Sequence, residues 1–413
     1  MVLSIKKLDF FFIGLLVICL PFMFYLNMMI QLNVSVSDFI MILMLYWVIS
    51  NKENRELIAR VLGNYKHIII YLLLLIYVCI LSMTNYFLNI FVDITYGISA
   101  ILKLSVNFSY ILVFLIYLEK YKRELLIFIL RWWRITAMII SLLCIGSVIL
   151  YQFGIDNGMT LGGRAQATLN DPNLAALYLV ISFSFIMLYS NYVEKKFMIN
   201  LSTVLILIAL FLTASRGGII SILLAVVIVL FLTFMLGRMR ELLIFIAIMS
   251  LFLIAFLWVN ETSEVLRFAI DRVTSVGSEG DGTSYRVFLW MSAFDMWTNN
   301  PLIGIGIGQF IAYSTEMYGV TFMNIPHNTY LTFLTETGMV GFLAFLWFPL
   351  YLFFRLVVFI TTNGEKKYYV ILIGLIAVGI QAISINIENI RFVWIYLTIA
   401  FVLSYHTKEK LWR

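Results

Sequence analysis

Charge is what this sequence lacks. Lys, Arg, Asp and Glu together make up 12% of its 413 residues, against 63% apolar residues, too little charge to dress a water-facing surface. A soluble core-and-surface protein is excluded. Cysteine is nearly absent too. Cys19, Cys79 and Cys144 each sit inside an apolar run, which argues for buried thiols and against disulfides or a metal cluster. No Pro/Ser/Gly linker and no internal repeat divides the chain, so one helical domain over 1–413 is expected. Neither an Asp-x-Asp pair nor a His/Glu cluster at metal-ligand spacing is present, so neither a metal nor a cofactor is expected.

In place of charge there are long apolar runs. Segments of roughly 17 to 25 residues, the length that crosses about 30 Å of hydrocarbon, can close their backbone hydrogen bonds there only as helices. About twelve such runs start near residues 9, 35, 68, 97, 135, 172, 197, 218, 242, 339, 369 and 391. The expected fold is therefore an all-α polytopic membrane protein. The first run has flanking lysines but no small-residue cleavage pattern, so it reads as a retained anchor.

Positive charge orients the chain. With the N-terminus cytoplasmic, every short inner link is basic: Lys6 and Lys7, Lys52 to Lys66, Lys120 to Arg123, Lys195 and Lys196, Arg238 and Arg240, Lys366 and Lys367, and Lys408 to Arg413. The opposite side keeps no lysine and only Arg164, Arg216, Arg267, Arg272, Arg286 and Arg391. This bias places both termini in the cytoplasm. The net charge of +6 is then an orientation signal and gives no reason to expect nucleic acid.

One long polar stretch, 260–338, hangs between the ninth and tenth spans on the outer side and should carry short helices of its own. Val265 to Val273 suits a helix lying on the membrane surface, and Val276 to Thr283 breaks regular structure. From Ser284 helix returns, with Arg286, Trp290, Ala293 and Trp297 along one face before Asn299-Asn300-Pro301 stops it. Gly304-Ile305-Gly306-Ile307-Gly308 follows no strand and has no lysine after it, so it reads as a tight turn, not a phosphate loop. Pro326-His327-Asn328-Thr329-Tyr330 then opens a helix that runs to Glu336-Thr337 and ends at Gly338. At that helix start His327 would present a neutral nitrogen able to take a proton, as a general base must; the other reading is a hydrogen-bonded structural histidine.

Two other outer turns carry arginines. In Gly162-Gly163-Arg164 followed by Asn170-Asp171-Pro172-Asn173, Asp171 should cap the next helix with Pro172 in its first turn. Arg164 just outside that helix reads equally as a loop brace or as a ligand-binding group. In Thr213-Ala214-Ser215-Arg216-Gly217-Gly218, Ser215 can cap a helix whose first turn holds Arg216, where a cation opposes the dipole and calls for an anionic partner or ligand.

These segments, taken in order over roughly residues 150 to 345, resemble the O-antigen ligase and polymerase family of bacterial membrane glycosyltransferases. The resemblance implies a helical fold like that of the lipid-dependent (GT-C) glycosyltransferases. It implies transfer of a glycan from a polyprenyl pyrophosphate on the outer face of the bacterial cytoplasmic membrane. By position, Arg216 and Arg286 would bind the pyrophosphate, Arg164 would assist, and His327 would activate or orient the acceptor hydroxyl. Asn328, Tyr330, Trp290 and Glu336 would contact substrate. Guanidinium groups can stabilise the departing diphosphate by bidentate bonds without a metal, and attack opposite the leaving group inverts the anomeric centre. The partners implied are the lipid-linked glycan, membrane lipids, and chain-length regulator and flippase proteins.

Polymerase and ligase differ mainly in acceptor, and polymerase is the expectation because such enzymes are the more numerous. The rival class is a transporter or flippase. Ion-coupled transporters place acids at mid-membrane, whereas here Lys103 is the clearest ionisable residue deep in a span and the acids gather in loops.

Overall fold

The structure, a computed structural model, describes residues 5–25, 33–84, 93–194, 196–235, 283–322, 324–363 and 366–405. Helices dominate: α1 (Ile5–Cys19), α2 (Val36–Ser50), α3 (Lys52–Asn64), α4 (Lys66–Ser82), α5 (Ile94–Gln152), α6 (Pro172–Tyr189), α7 (Phe197–Leu212), α8 (Arg216–Met235), α9 (Thr283–Asn299), α10 (Phe310–Tyr318), α11 (Thr329–Asn363), α12 (Lys366–Gln381) and α13 (Arg391–Tyr405). Among the described residues, Ile94–Gln152, Pro172–Tyr189, Arg216–Met235 and Thr329–Thr362 are long and apolar enough to cross a membrane, and α3 with α4, bent by 87°, adds a fifth candidate. Shorter apolar helices include Phe197–Leu212 and Arg391–Tyr405. The chain is thus an all-α membrane protein.

Helix stands at each expected span start except the one near 242, which lies outside the described residues. The surface helix expected over Val265 to Val273 lies outside them as well, as does the break from Val276 onward up to 282. Two of the expected spans are one helical run, α5, interrupted only at Lys122 (φ 47°, ψ −128°). The basic link expected there is a one-residue break. α-Structure is supplemented by two small antiparallel hairpins, β1 (Met23–Tyr25) with β2 (Asn33–Ser35) and β3 (Thr160–Leu161) with β4 (Arg164–Ala165). Gly162 and Gly163, at φ 55° and 77°, supply the two left-handed residues that a tight hairpin turn requires.

The chain falls into two compact units. Unit 1 comprises Met1–Ile129, Gly282–Arg355 and Ala382–Arg413; unit 2 comprises Leu130–Asp281 and Leu356–Gln381.

In unit 1, α9, α10 and the segments on either side of α10 close a small core of Leu289, Ala293, Met296, Ile305, Phe310 and Phe322, all nearly inaccessible. Burial of such side chains is worth roughly 1.5–3 kcal/mol each for the larger ones, enough to make this platform a fixed support. α9 buries Leu289, Ser292, Ala293 and Met296, the three-and-four spacing of one helix face.

Unit 2 packs α6 against α7, α8 and α12. α6 is buried along nearly its whole length. Trp133 of α5 donates to Ser182 Oγ at 2.9 Å and meets Phe185 edge-on at 4.7 Å. Cys79 and Cys144 are buried free thiols as expected, whereas Cys19 is only partly buried.

Candidate active site

The expected residues divide between the units: Arg164 and Arg216 in unit 2, Arg286, Trp290, His327, Asn328, Tyr330 and Glu336 in unit 1.

In unit 2, Asp171 caps α6 by accepting from the Asn173 and Leu174 N–H groups at 2.7 and 2.9 Å, with Pro172 in the first turn. Ser215 caps α8 through the Gly218 N–H at 3.3 Å, which leaves Arg216 as the first helical residue, partly buried. A Cβ on Gly218 would stand 2.6 Å from Ala176 Cβ, so this glycine lets α8 close on α6. The β3–β4 hairpin delivers Arg164, whose Nε donates to the Thr213 carbonyl at 3.0 Å and Nη2 to Asn173 Oδ1 at 3.2 Å. Ser215 Oγ donates to the same Asn173 oxygen at 3.0 Å. Arg164 therefore braces the Arg216 turn, and Asn173, which the sequence reading passed over, is the shared acceptor.

In unit 1 the site is built on a helix break. α11 changes direction at Gly338 (φ 66°, ψ −170°), and a break leaves carbonyls on one side and N–H groups on the other without intrahelical partners. The segment from Pro301 to Gly308 supplies both. Ile305 and Gly306 N–H donate to the Thr335 and Glu336 carbonyls at 2.9 Å each, while the Pro301 and Leu302 carbonyls accept from Met339 and Val340 at 2.9 and 3.2 Å. Gly308 N–H binds Glu336 Oε2 at 2.8 Å, and Ile307 N–H binds Ser82 Oγ at 3.2 Å. The N–H groups of Ile305, Gly306, Ile307 and Gly308 are thus committed within the protein, which removes the phosphate-cradle reading of the glycine run. The three glycines take φ of 73°, 108° and 75°, open to residues without a Cβ.

The start of α11 corrects the sequence reading. Pro326 is not in the first turn. Asn328 is the cap: its Oδ1 accepts from Tyr330 and Leu331 N–H at 3.1 Å each, and helix begins at Thr329. An amide oxygen beats a proline here because it satisfies two otherwise open donors. His327 stands one residue before that cap, partly buried, at φ 49°. Trp290, one turn beyond Arg286 on α9, fixes this bend by donating its indole N–H to the Pro326 carbonyl at 2.8 Å. Tyr330 is partly buried, and Asn328 and Glu336 are 6% and 7% exposed.

A segment absent from the sequence reading completes the frame. Residues 382–390, between α12 and α13, wrap the start of α11. Thr329 N–H donates to the Ala382 carbonyl, and Thr329 Oγ1 accepts from Ile387 N–H and donates to the Ile385 carbonyl, all at 2.9 Å. Asn386 Nδ2 reaches Thr332 Oγ1 and Glu388 Oε1, both at 2.9 Å. Arg286 Nη1 faces the Ser384 carbonyl at 3.5 Å, the long limit of a hydrogen bond. Arg286 and the His327 bend are therefore framed by the same short segment. Burial pushes the Glu388 carboxyl above the usual carboxylate range, opposed by the bonds from Asn386 and Thr329. The polar alternation Ser384, Asn386, Glu388 between isoleucines was the available signal.

No gathering of three or more His, Cys, Asp or Glu suited to a metal occurs among the described residues. A family model described as O-antigen ligase matches residues 201–346. The matched stretch contains Arg216, Arg286, Trp290, His327, Asn328, Tyr330 and Glu336, and leaves Arg164 outside. No curated protein matches the chain.

Proposed function

We propose, on the match of residues 201–346 to a family model described as O-antigen ligase, that this chain is a polysaccharide polymerase of the bacterial cytoplasmic membrane, acting on O-antigen, capsule or exopolysaccharide. It transfers glycan from polyprenyl pyrophosphate to a sugar hydroxyl on the outer face. The finer architecture belongs to the same proposal: about twelve spans in a GT-C-like arrangement, both termini cytoplasmic, with a flippase and a chain-length regulator as partners.

The observation that carries the reading is the order Arg216, Arg286, His327 inside one matched stretch, with Arg286 and the His327 bend held by a common frame in unit 1. In the proposed step the acceptor oxygen attacks the anomeric carbon from the face opposite the diphosphate. The glycosidic C–O bond forms as the bond to the pyrophosphate oxygen breaks, and His327 receives the hydroxyl proton. Arg216 and Arg286 take up the charge that gathers on the leaving diphosphate, with no metal required. Fixed cations aimed at developing charge lower a barrier because they need no reorganisation as the charge appears. Arg164 holds the Arg216 turn, and Trp290 holds the His327 bend.

The test is transfer by the purified full chain from a polyprenyl-pyrophosphate glycan. Arg286→Ala and Arg216→Ala are expected to lower kcat by about 10²–10³, and His327→Ala by about 10²–10⁴, with folded protein retained. Arg286→Lys should also fall short, because a point charge does not reproduce the guanidinium fork. Chelator should change nothing. Turnover by these variants equal to the wild type would reject the assignment.

The ligase reading, in which glycan passes to a lipid core or protein, is favoured by the description of the matched family. Offering the lipid-linked repeat, a lipid core and a peptide as competing acceptors separates the two.

A further inference from the structure

Unit 1 contains a cavity of about 40 Å³ lined by Ala100, Leu104, Thr332, Glu336, Glu388 and Asn389, among others. A single water needs about 10–15 Å³ of such space, so the cavity takes a few small polar groups, such as the edge hydroxyls of a sugar, and not a whole glycan unit. Ala100 and Leu104 of α5 line it, and Lys103 and Asn107 stand beside them on the same helix face at three-and-four spacing. Lys103 lies within electrostatic reach of Glu336, Glu388 and Arg391 and has no hydrogen bond or ion pair among the described residues. Asn107, 1% exposed, holds the Glu388 carbonyl through Nδ2 at 3.1 Å, while its buried Oδ1 has no partner among the described residues. A buried amide oxygen without a hydrogen-bond partner, next to acidic side chains and a partly buried ammonium, is an unusual expense unless something completes it.

We propose that this cavity seats one hydroxyl group of the acceptor glycan, beside the hydroxyl that reacts. The proposal rests on the glycosyl-transfer reading above. A sugar hydroxyl both donates and accepts, which suits a lining of Thr332, Glu336, Glu388 and Asn389, with the Lys103 ammonium on the adjoining helix face to donate to its oxygen. A phosphate would meet two carboxylates, and an amine would meet a lysine. Position agrees, since Thr332 on the cavity wall is four residues beyond the Asn328 cap, about 6 Å along the helix axis, within the span of one sugar residue from the His327 bend. The inference makes the acceptor a polyhydroxylated glycan and gives Glu388 and Lys103 the task of holding it.

The experiment uses the full chain in lipid nanodiscs and a panel of methyl hexopyranosides, with binding read by saturation-transfer NMR. At least one glycoside is expected to bind the wild type, and its affinity should fall tenfold or more in Lys103→Met and in Glu388→Gln. The matching monodeoxy sugar should lose as much on the wild type and nothing further on the variants. Lys103→Met removes a side chain that holds no other element of the described structure, so its loss reads the site and not the fold. If no panel member binds, or if binding ignores both substitutions, the cavity holds water only and the proposal is wrong. Transfer assays separate the two claims. Glycan transfer with an unchanged acceptor KM in both variants sinks the site and leaves the transferase, whereas cavity-dependent glycoside binding without any transfer sinks the transferase and leaves the sugar site.

Discussion

The arginines expected on the outer side are not one class of residue. Arg391, at the start of α13, meets Asp38 in a two-pronged pair, Nε to Oδ1 at 3.0 Å and Nη2 to Oδ2 at 2.7 Å, with both side chains nearly buried. Asp38 also accepts from Tyr110 and closes a capping box with Ser35. Its bonding makes Arg391 part of the fold, and the same holds for Arg164 with its carbonyl and amide partners. Geometry favours arginine over lysine at position 391, since the planar fork serves both carboxylate oxygens of Asp38 at once. Arg391→Ala should cost about 3–5 kcal/mol, because it strands a buried carboxylate, and should appear as a fall in Tm of the purified protein. Replacing Asp38 by Asn in the same background should recover part of the loss. A single variant that melts with the wild type would show that the pair does not hold these helices.

At the scale of elements, the break in α11 ties the site to the rest of unit 1. Gly304 and Gly338 approach backbone to backbone: a Cβ on Gly304 would collide with the backbone of Glu336, Thr337 and Gly338. Gly304→Ala therefore combines a left-handed backbone cost of about 1–2 kcal/mol with a clash that neither backbone can relieve. Gly158→Ala is the control, since its φ of 72° carries the same backbone cost while open space surrounds it. Thermal melts should show a clearly larger loss for Gly304→Ala, and equal losses would mean that the loop yields easily. Much of this element structure was legible in the sequence. Asp171, Ser215 and Gly338 announce themselves because caps and breaks are local chemistry, settled within four residues. The cap at Asn328 was misread because proline is the commoner herald of a helix start. The segment 382–390 was missed for a different reason. Its partners, such as Thr329, lie more than fifty residues away, and no local pattern reports a hydrogen bond across that distance.

For the whole molecule, orientation decides whether any of this chemistry meets its substrate. The argument is electrostatic: lysines and arginines of short loops stay on the cytoplasmic side. On the proposed orientation the turn after α5 lies outside and the turn after α6 inside, with the buried helix Pro172–Tyr189 running between them. Asp156 and Asn191 are exposed, one in each turn, and so report on opposite faces. In a Cys19→Ser background, where the remaining thiols Cys79 and Cys144 are buried, Asp156→Cys should react with a membrane-impermeant maleimide on intact cells. Asn191→Cys should react only after permeabilisation. The reverse pattern would put Arg164 and Arg216 on the cytoplasmic side, where a glycan already carried outward cannot reach them, and the polymerase reading would fall with the orientation.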